Sequence, residues 1–336
     1  MLYREDLEKR EYEILSPAAC KVADSKGRKM PEEKDLMRTD FQRDRDRIIH
    51  SKAFRRLMHK TQVFLSTEGD HFRTRLSHTL EVSQIARSVS RGLALNEDLA
   101  EAISLGHDLG HTPFGHSGET ILNGIHKGGF RHNEQSLRVV DVIESSMSRK
   151  GMNLTEEVRD GILNHTGDTL PMTLEGQVVK ISDRIAYINH DIDDALRSEV
   201  IKFDELPRDC IRTLGESHKN RITNMINNLI QTSEGEDVIK MTKDFQDATN
   251  KLRTFMFEKV YKNSKVKKDE DLNRVKVIIE SLYKYYVENP DKLPYEFTET
   301  LETDGVEEAV KDYVAGMTDR FAIRKYVDLF VPAGWK

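Results

Sequence analysis

At 336 residues, with 37% hydrophobic and 33% charged residues and a mean hydropathy of -0.62, the chain reads as a folded protein with a strongly charged surface, not as a disordered one. No apolar run approaches the roughly 20 residues that span a bilayer. The charged N-terminus MLYREDLEKREYEIL lacks a secretory apolar stretch, and Cys20 and Cys210 are too far apart for a Cys-x-x-Cys site, so a cytoplasmic protein with reduced cysteines and no membrane contact is expected.

The net charge of -6 is unevenly spread. Between Arg43 and Arg91 nine Arg and two Lys face five acidic residues, an excess that suits a polyanion such as single-stranded DNA or, equally, a solvated helical face. Nine of the twelve histidines fall between His50 and His132, so the cationic stretch overlaps the residues best suited to metal binding or proton transfer.

Apolar residues recur every three or four positions along most of the chain, which predicts an all-α fold with at most one small hairpin, over 61–73. A helix opening at Leu76 places His78, Val82, Ile85, Val89 and Leu93 on one inward stripe. Asn96 is a good N-cap for the next helix, in which Leu99, Ile103 and His107 share a face until Gly110 ends it. A third helix near 177–197 buries Val178, Ile181, Ile185, Ile188 and Ile192, while Asp183, Tyr187 and Asp191 follow one another on a different side. Beyond residue 200 the chain stays helical, with polar breaks at 232–237 and 263–271 that read as surface loops. One domain is expected, with a metal-binding core over about 50–200 and a C-terminal helical part over about 201–336.

His78, the His107-Asp108 pair and Asp183 form a coherent ligand set for one divalent ion. Neighbouring helix residues point about 100° apart, so His107 and Asp108 share an ion only where their helix ends. Imidazole with carboxylate and no sulfur suits Mn, Mg, Fe, Co or Zn, and leaving two carboxylates unpaired in a core costs several kcal/mol each. In GHDLGHTPFGHSGE (106–119), Gly110, Pro113 and Gly115 form a tight connection that brings His111 and His116 toward that helix end. Glu119, three residues after His116, can orient its imidazole as in a general acid/base pair, the alternative being a helix cap.

The order His78, His107-Asp108, Asp183 resembles the signature of the HD superfamily. Seven further stretches resemble its deoxyguanosine triphosphate triphosphohydrolase-like branch, of the shorter bacterial type: 15–28, 40–64, 71–87, 106–119, 128–140, 181–194 and DYVAGMTDR at 312–320. The resemblance implies a helical fold, usually in a symmetric homo-oligomer, that hydrolyses deoxynucleoside triphosphates to deoxynucleoside and tripolyphosphate by attack of water at the α-phosphorus. It assigns proton transfer to His116, held by Glu119, and puts His111 and His132 beside the phosphates. By the same resemblance Arg75 and Arg184 contact phosphates, Gln62 and Asp191 bond the 3′-hydroxyl, and Tyr187 packs on the ribose. Spacing alone equally allows Arg75 a surface ion pair, Tyr187 a core position and Asp191 a solvated one. Competing classes are an HD-type phosphatase acting on deoxynucleoside monophosphates, and a nucleotide-sensing or nucleic-acid-binding module with little turnover, including a nucleotide effector site.

Overall fold

Short polar residues start the helices, and apolar stripes hold them. The computed structural model describes residues 1–62, 73–146, 149–261 and 269–332, and among these it contains sixteen α-helices and no strand. The first eight are α1 (Arg4–Ile14), α2 (Asp40–Ile49), α3 (Lys52–Arg56), α4 (Arg75–Gly92), α5 (Glu97–Gly106), α6 (Gly115–Ile125), α7 (His132–Arg138) and α8 (Glu156–Asn164). The chain continues through α9 (Leu174–Arg197), α10 (Arg208–Leu214), α11 (His218–Ser233), α12 (Lys243–Met256), α13 (Asp269–Glu288), α14 (Thr298–Thr303), α15 (Val306–Ala315) and α16 (Asp319–Phe330). A π-helical turn, Phe257–Tyr261, extends α12.

Three helices carry the predicted stripes. Thr74 caps α4, and His78, Val82, Ile85 and Val89 are buried along it as the spacing requires. Asn96 caps α5, its Oδ1 accepting the Leu99 N–H at 3.3 Å. Helix α9 starts at Leu174, three residues earlier than the periodicity indicated, because Thr173 supplies a cap by accepting the Gly176 N–H at 3.1 Å. Each fully buried Val, Ile or Leu contributes roughly 1.5–3 kcal/mol, so these stripes anchor α4, α5 and α9 against one another, with α2 and α8 packed on α5.

Regular α-helix stops at Gly106, not at Gly110; residues 107–110 continue as a tight turn. Gly110 matters for a different reason than helix termination. A Cβ there would lie 2.2 Å from the Ser136 amide nitrogen, so only glycine lets this turn press against α7.

The apolar side chains form two clusters. The larger joins α2, α4, α5, α8 and α9 to α10, α11 and α12. The second gathers Phe114, Leu122 and Phe130 with Ile279 and Leu282 of α13, Val310 and Val314 of α15 and Ala322 of α16. The polar break at 232–237 begins in the last residues of α11 and runs on into the loop before α12. Of the other break, 263–268 lies outside the described residues and 269–271 is already helical. Of the expected hairpin, 63–72 also lies outside them; Thr61 and Thr74 at its ends are joined by an antiparallel bridge.

The arginine-rich stretch is largely paired with acids from elsewhere. Arg43 meets Glu32 at 3.2 Å, Arg45 meets Glu101 at 3.4 Å, Arg73 meets Asp194 at 2.7 Å and Arg91 meets Glu97 at 2.7 Å. Both cysteines are free, and no described helix is long and apolar enough to cross a membrane.

Candidate metal and phosphate site

Helix α4 delivers His78, the turn after α5 delivers His107 and Asp108, and α9 delivers Asp183. His78 Nε2 stands 3.1 Å from Asp183 Oδ1 and 3.8 Å from Asp108 Oδ2, while His107 Nε2 stands 3.5 Å from Asp108 Oδ1 and 3.9 Å from Asp183 Oδ1. Donors about 2.1 Å from one ion lie about 3 Å apart at right angles across it and about 4 Å apart when opposite. Pair by pair the observed separations fall in that interval, with Asp108 offering Oδ2 to His78 and Oδ1 to His107. The donor atoms all lie within 4.8 Å of one another in the set His78–His107–Asp108 and in the set His107–His165–Asp183, so His107 is common to both and the donors suit a divalent cation.

The tautomers support the same fit. His107 Nδ1 is 2.6 Å from the Ser104 carbonyl, which can only accept, so Nδ1 carries the proton and the buried Nε2, with no hydrogen-bond partner, keeps its lone pair toward the cluster. Burial raises the Asp183 carboxyl, but the His78 hydrogen bond and the surrounding imidazoles of His78, His107 and His165 outweigh it and hold Asp183 far below the usual carboxylate range. Asp108 is displaced the same way: burial opposes, and His107, His111 and Arg75 prevail. Burial also lowers the His78 imidazole, which favours its neutral, ligating form.

The chain then makes an irregular turn. Phe114 sits at φ +62° and Gly115 at φ +57°, both left-handed, directly before α6. For a bulky residue such as Phe114 that conformation costs on the order of 1–3 kcal/mol, so its surroundings must impose it. The turn places His111 with Nε2 3.2 Å from Asp108 Oδ1 and stacks it on His132, with ring centroids 4.1 Å apart. His116, one residue into α6, is 65% exposed and donates from Nδ1 to Glu119 Oε2 at 3.2 Å. The other Glu119 oxygen accepts both the backbone N–H and Nδ1–H of His132 at 2.9 Å. Glu119 therefore orients two imidazoles, and their hydrogen bonds overcome the effect of burial and push its carboxyl far below its ordinary value. Glu119 does not cap its own helix α6, although its bond to the His132 N–H satisfies the first amide of α7.

A cavity of about 740 Å³ opens over these groups, lined by Gln62, Arg75, His78, Asp108, His111, His116, Glu119, His132, Asp183, Tyr187 and Asp191. A second cavity, of about 790 Å³, lies between α7 and α14–α15 and contains none of these residues. Arg75 is not a surface ion-pair residue: it is buried, one amino group donates to Asp108 Oδ2 at 2.8 Å, and among the described residues its Nε and other amino group have no hydrogen-bond partner. Burial raises the Tyr187 phenol to about 12, so it stays protonated. Asp191 is buried and accepts the Tyr261 hydroxyl on one oxygen, with His190 Nε2 3.3 Å from the other. Arg184, next to Asp183 in sequence, is not among the lining residues.

Several groups here went unnoticed in the sequence. His165, just after α8, lies between His107 and His132, with its Nε2 3.2 Å from His132 Nε2. Its spacing from Val158 and Ile162 was the available signal. Arg253, Phe257 and Tyr261, four apart across the π-turn, line the far wall, where Tyr261 reaches Asp191. Beyond His78, His107 and Asp108, ligand-capable groups converge as His107–His165–Asp183 and as Asp108–His111–His132, each within 4.8 Å.

Comparison with known proteins follows this geometry. Residues 75–188 match the HD domain and 239–328 the phosphohydrolase-associated domain, so fold and site define an HD-domain phosphohydrolase, a metal-dependent class. The chain is 59% identical to the deoxyguanosinetriphosphate triphosphohydrolase-like protein of Caldanaerobacter subterraneus subsp. tengcongensis, covering 100% of this chain and 98% of that one. It is 48% identical to the protein so named from Desulfatibacillum aliphaticivorans, over 99% of each chain. The chain belongs to the deoxyguanosinetriphosphate triphosphohydrolase-like protein family. A crystal structure of a hypothetical protein from Aquifex aeolicus aligns at 19% identity with a TM-score of 0.46, over 84% of this chain and 67% of that one.

Proposed function

We propose that the protein hydrolyses deoxynucleoside triphosphates to deoxynucleoside and inorganic tripolyphosphate. The observation that carries this reading is that one cavity of about 740 Å³ is lined together by His78, Asp108 and Asp183 of the donor cluster, by Arg75 and by the His116–Glu119–His132 group. His78, His107, Asp108 and Asp183 hold the ion, for which Mn, Mg, Fe, Co and Zn are the candidates. When bound, it supplies positive charge against that developing on the phosphoryl oxygens.

The chain's own groups do the rest. Arg75, fixed by Asp108, offers two free donors to a phosphate. His116, with Nδ1 fixed on Glu119, is left with Nε2 to move a proton between water and the leaving oxygen, and its exposure lets it exchange that proton with solvent. His111 and His132 line the phosphate path. Tyr187 packs on the sugar and crowds a 2′-hydroxyl, and Gln62 and Asp191 take the 3′-hydroxyl. Arg184 is left out of the phosphate set. We read the chain as one functional unit, since α6 bears His116 on one side and packs Leu122 into the C-terminal cluster on the other, and we place it in the cytoplasm.

Product analysis with each of the four deoxynucleoside triphosphates and each metal tests this. Tripolyphosphate and nucleoside are expected; pyrophosphate, monophosphate or no turnover overturns the reading.

A further inference from the structure

The stretch DYVAGMTDR (312–320) has no part in the chemistry above, but it touches the turn that carries it. Asp319, the first residue of α16, accepts the Phe114 N–H on Oδ1 at 2.9 Å. Its Oδ2 accepts the Thr61 N–H at 3.0 Å and the Thr61 hydroxyl. The neighbouring Lys60 is 2% exposed and, among the described residues, has no carboxylate within ion-pair distance. Its amino group instead donates to two carbonyls, that of His111 and that of Ala315 at 3.0 Å.

A lysine amino group removed from water without a counter-ion is a costly feature to keep; burial, with Arg56 and Arg75 nearby, pushes this one well below its ordinary value, and it still donates to both carbonyls. Here it joins one carbonyl of the histidine-bearing turn to one of the C-terminal stretch. Asp319 makes the matching connection at the other end of the turn, on the amide of the left-handed Phe114. The backbone between these two points, 111–114, sets where His111 lies and where α6, with His116, begins.

We propose that Lys60 and Asp319 are positioning residues: with Thr61 they fasten residues 315–319 to the His111–Phe114 backbone and hold His111 and His116 at the angle the reaction requires. The matched phosphohydrolase-associated region, which already lends Arg253, Phe257 and Tyr261 to the cavity wall, thereby also supports the proton-transfer side of the site. This inference rests on the hydrolase reading of the site.

The test uses full-length Asp319→Asn and Lys60→Met proteins. Asn at 319 keeps the side-chain shape but turns an amino group toward either the Phe114 or the Thr61 N–H. The expected result is a 10- to 100-fold fall in kcat, KM within about threefold of wild type, unchanged bound manganese per chain, and loss of hydrogen-exchange protection at the Phe114 amide. Should Lys60→Met fail to fold, Asp319→Asn and Thr61→Val decide. Unchanged kcat with full Phe114 protection overturns the proposal, and so does a loss of manganese in step with activity, which marks a merely structural role. If the wild type hydrolyses no deoxynucleoside triphosphate, the functional reading fails, while the exchange comparison still reports on the clamp.

Discussion

The two sides of the cavity are built by different means. The ligand side takes its groups from α4, the end of α5 and α9, helices that pack against one another in the larger apolar cluster. His78 and Asp183 are placed there by helices α4 and α9, and His107 and Asp108 by the turn that directly continues α5. The proton-transfer side takes His111 and His116 from a turn with two left-handed residues, held by contacts to segments some 200 residues further along. Helix periodicity alone can build a cation site, whereas a proton donor beside it requires tertiary contacts that bend the chain against its local preference.

The largest effect that would sharpen this contrast is loss of a ligand. Asp183→Ala should lower turnover on the order of 10³-fold or more and abolish bound metal, read by product release and elemental analysis; retained metal would break the ligand-side description. Next, His116→Ala should cost about 10²- to 10⁴-fold in kcat with metal content intact, which separates the two sides cleanly. If it sheds metal as well, they are not separable.

Smaller effects probe stability on the ligand side. Burial pushes the Glu175 carboxyl, at the start of α9, up to about 7 from its ordinary 4.5, despite the Asn96 and Cys20 amides that it accepts. Since the folded value is the raised one, its stability contribution is fully present below 4.5 and is lost as pH rises through about 7. Glu175→Gln should remove that slope, raising the unfolding free energy at pH 8 by about 1–3 kcal/mol relative to wild type, with little change at pH 4.5; parallel pH profiles of denaturant midpoint would refute it. Smallest, Asn96→Ala should cost about 1 kcal/mol of stability through loss of the α5 cap, with kcat/KM within twofold of wild type.

What was legible in the sequence follows the same division. His78 falls on the inward stripe of the long, capped α4, Asp183 heads a four-residue series along a second side of α9, which differed only in starting at Leu174, and His107 keeps the α5 spacing one residue past the helix end. Periodicity could not reveal Lys60 or Asp319, because each acts through backbone atoms of a distant segment. Composition within 43–91 could also not show that its arginines meet acids from outside the segment, Glu32, Glu97, Glu101 and Asp194. Arg253 and Tyr261 were missed because their four-residue spacing through Phe257 is equally that of a packed helix face, and what marks them is the distant Asp191 that Tyr261 reaches.

Glu119 divides its two oxygens between two rings, and this has a genetic consequence. His116 and His132 cannot vary independently, because a change at position 119 disturbs both and a change at either ring frees an oxygen that the other then faces alone. Combined substitutions among the three should therefore depart from additivity, and any lineage that replaced this carboxylate would have to re-anchor both imidazoles together.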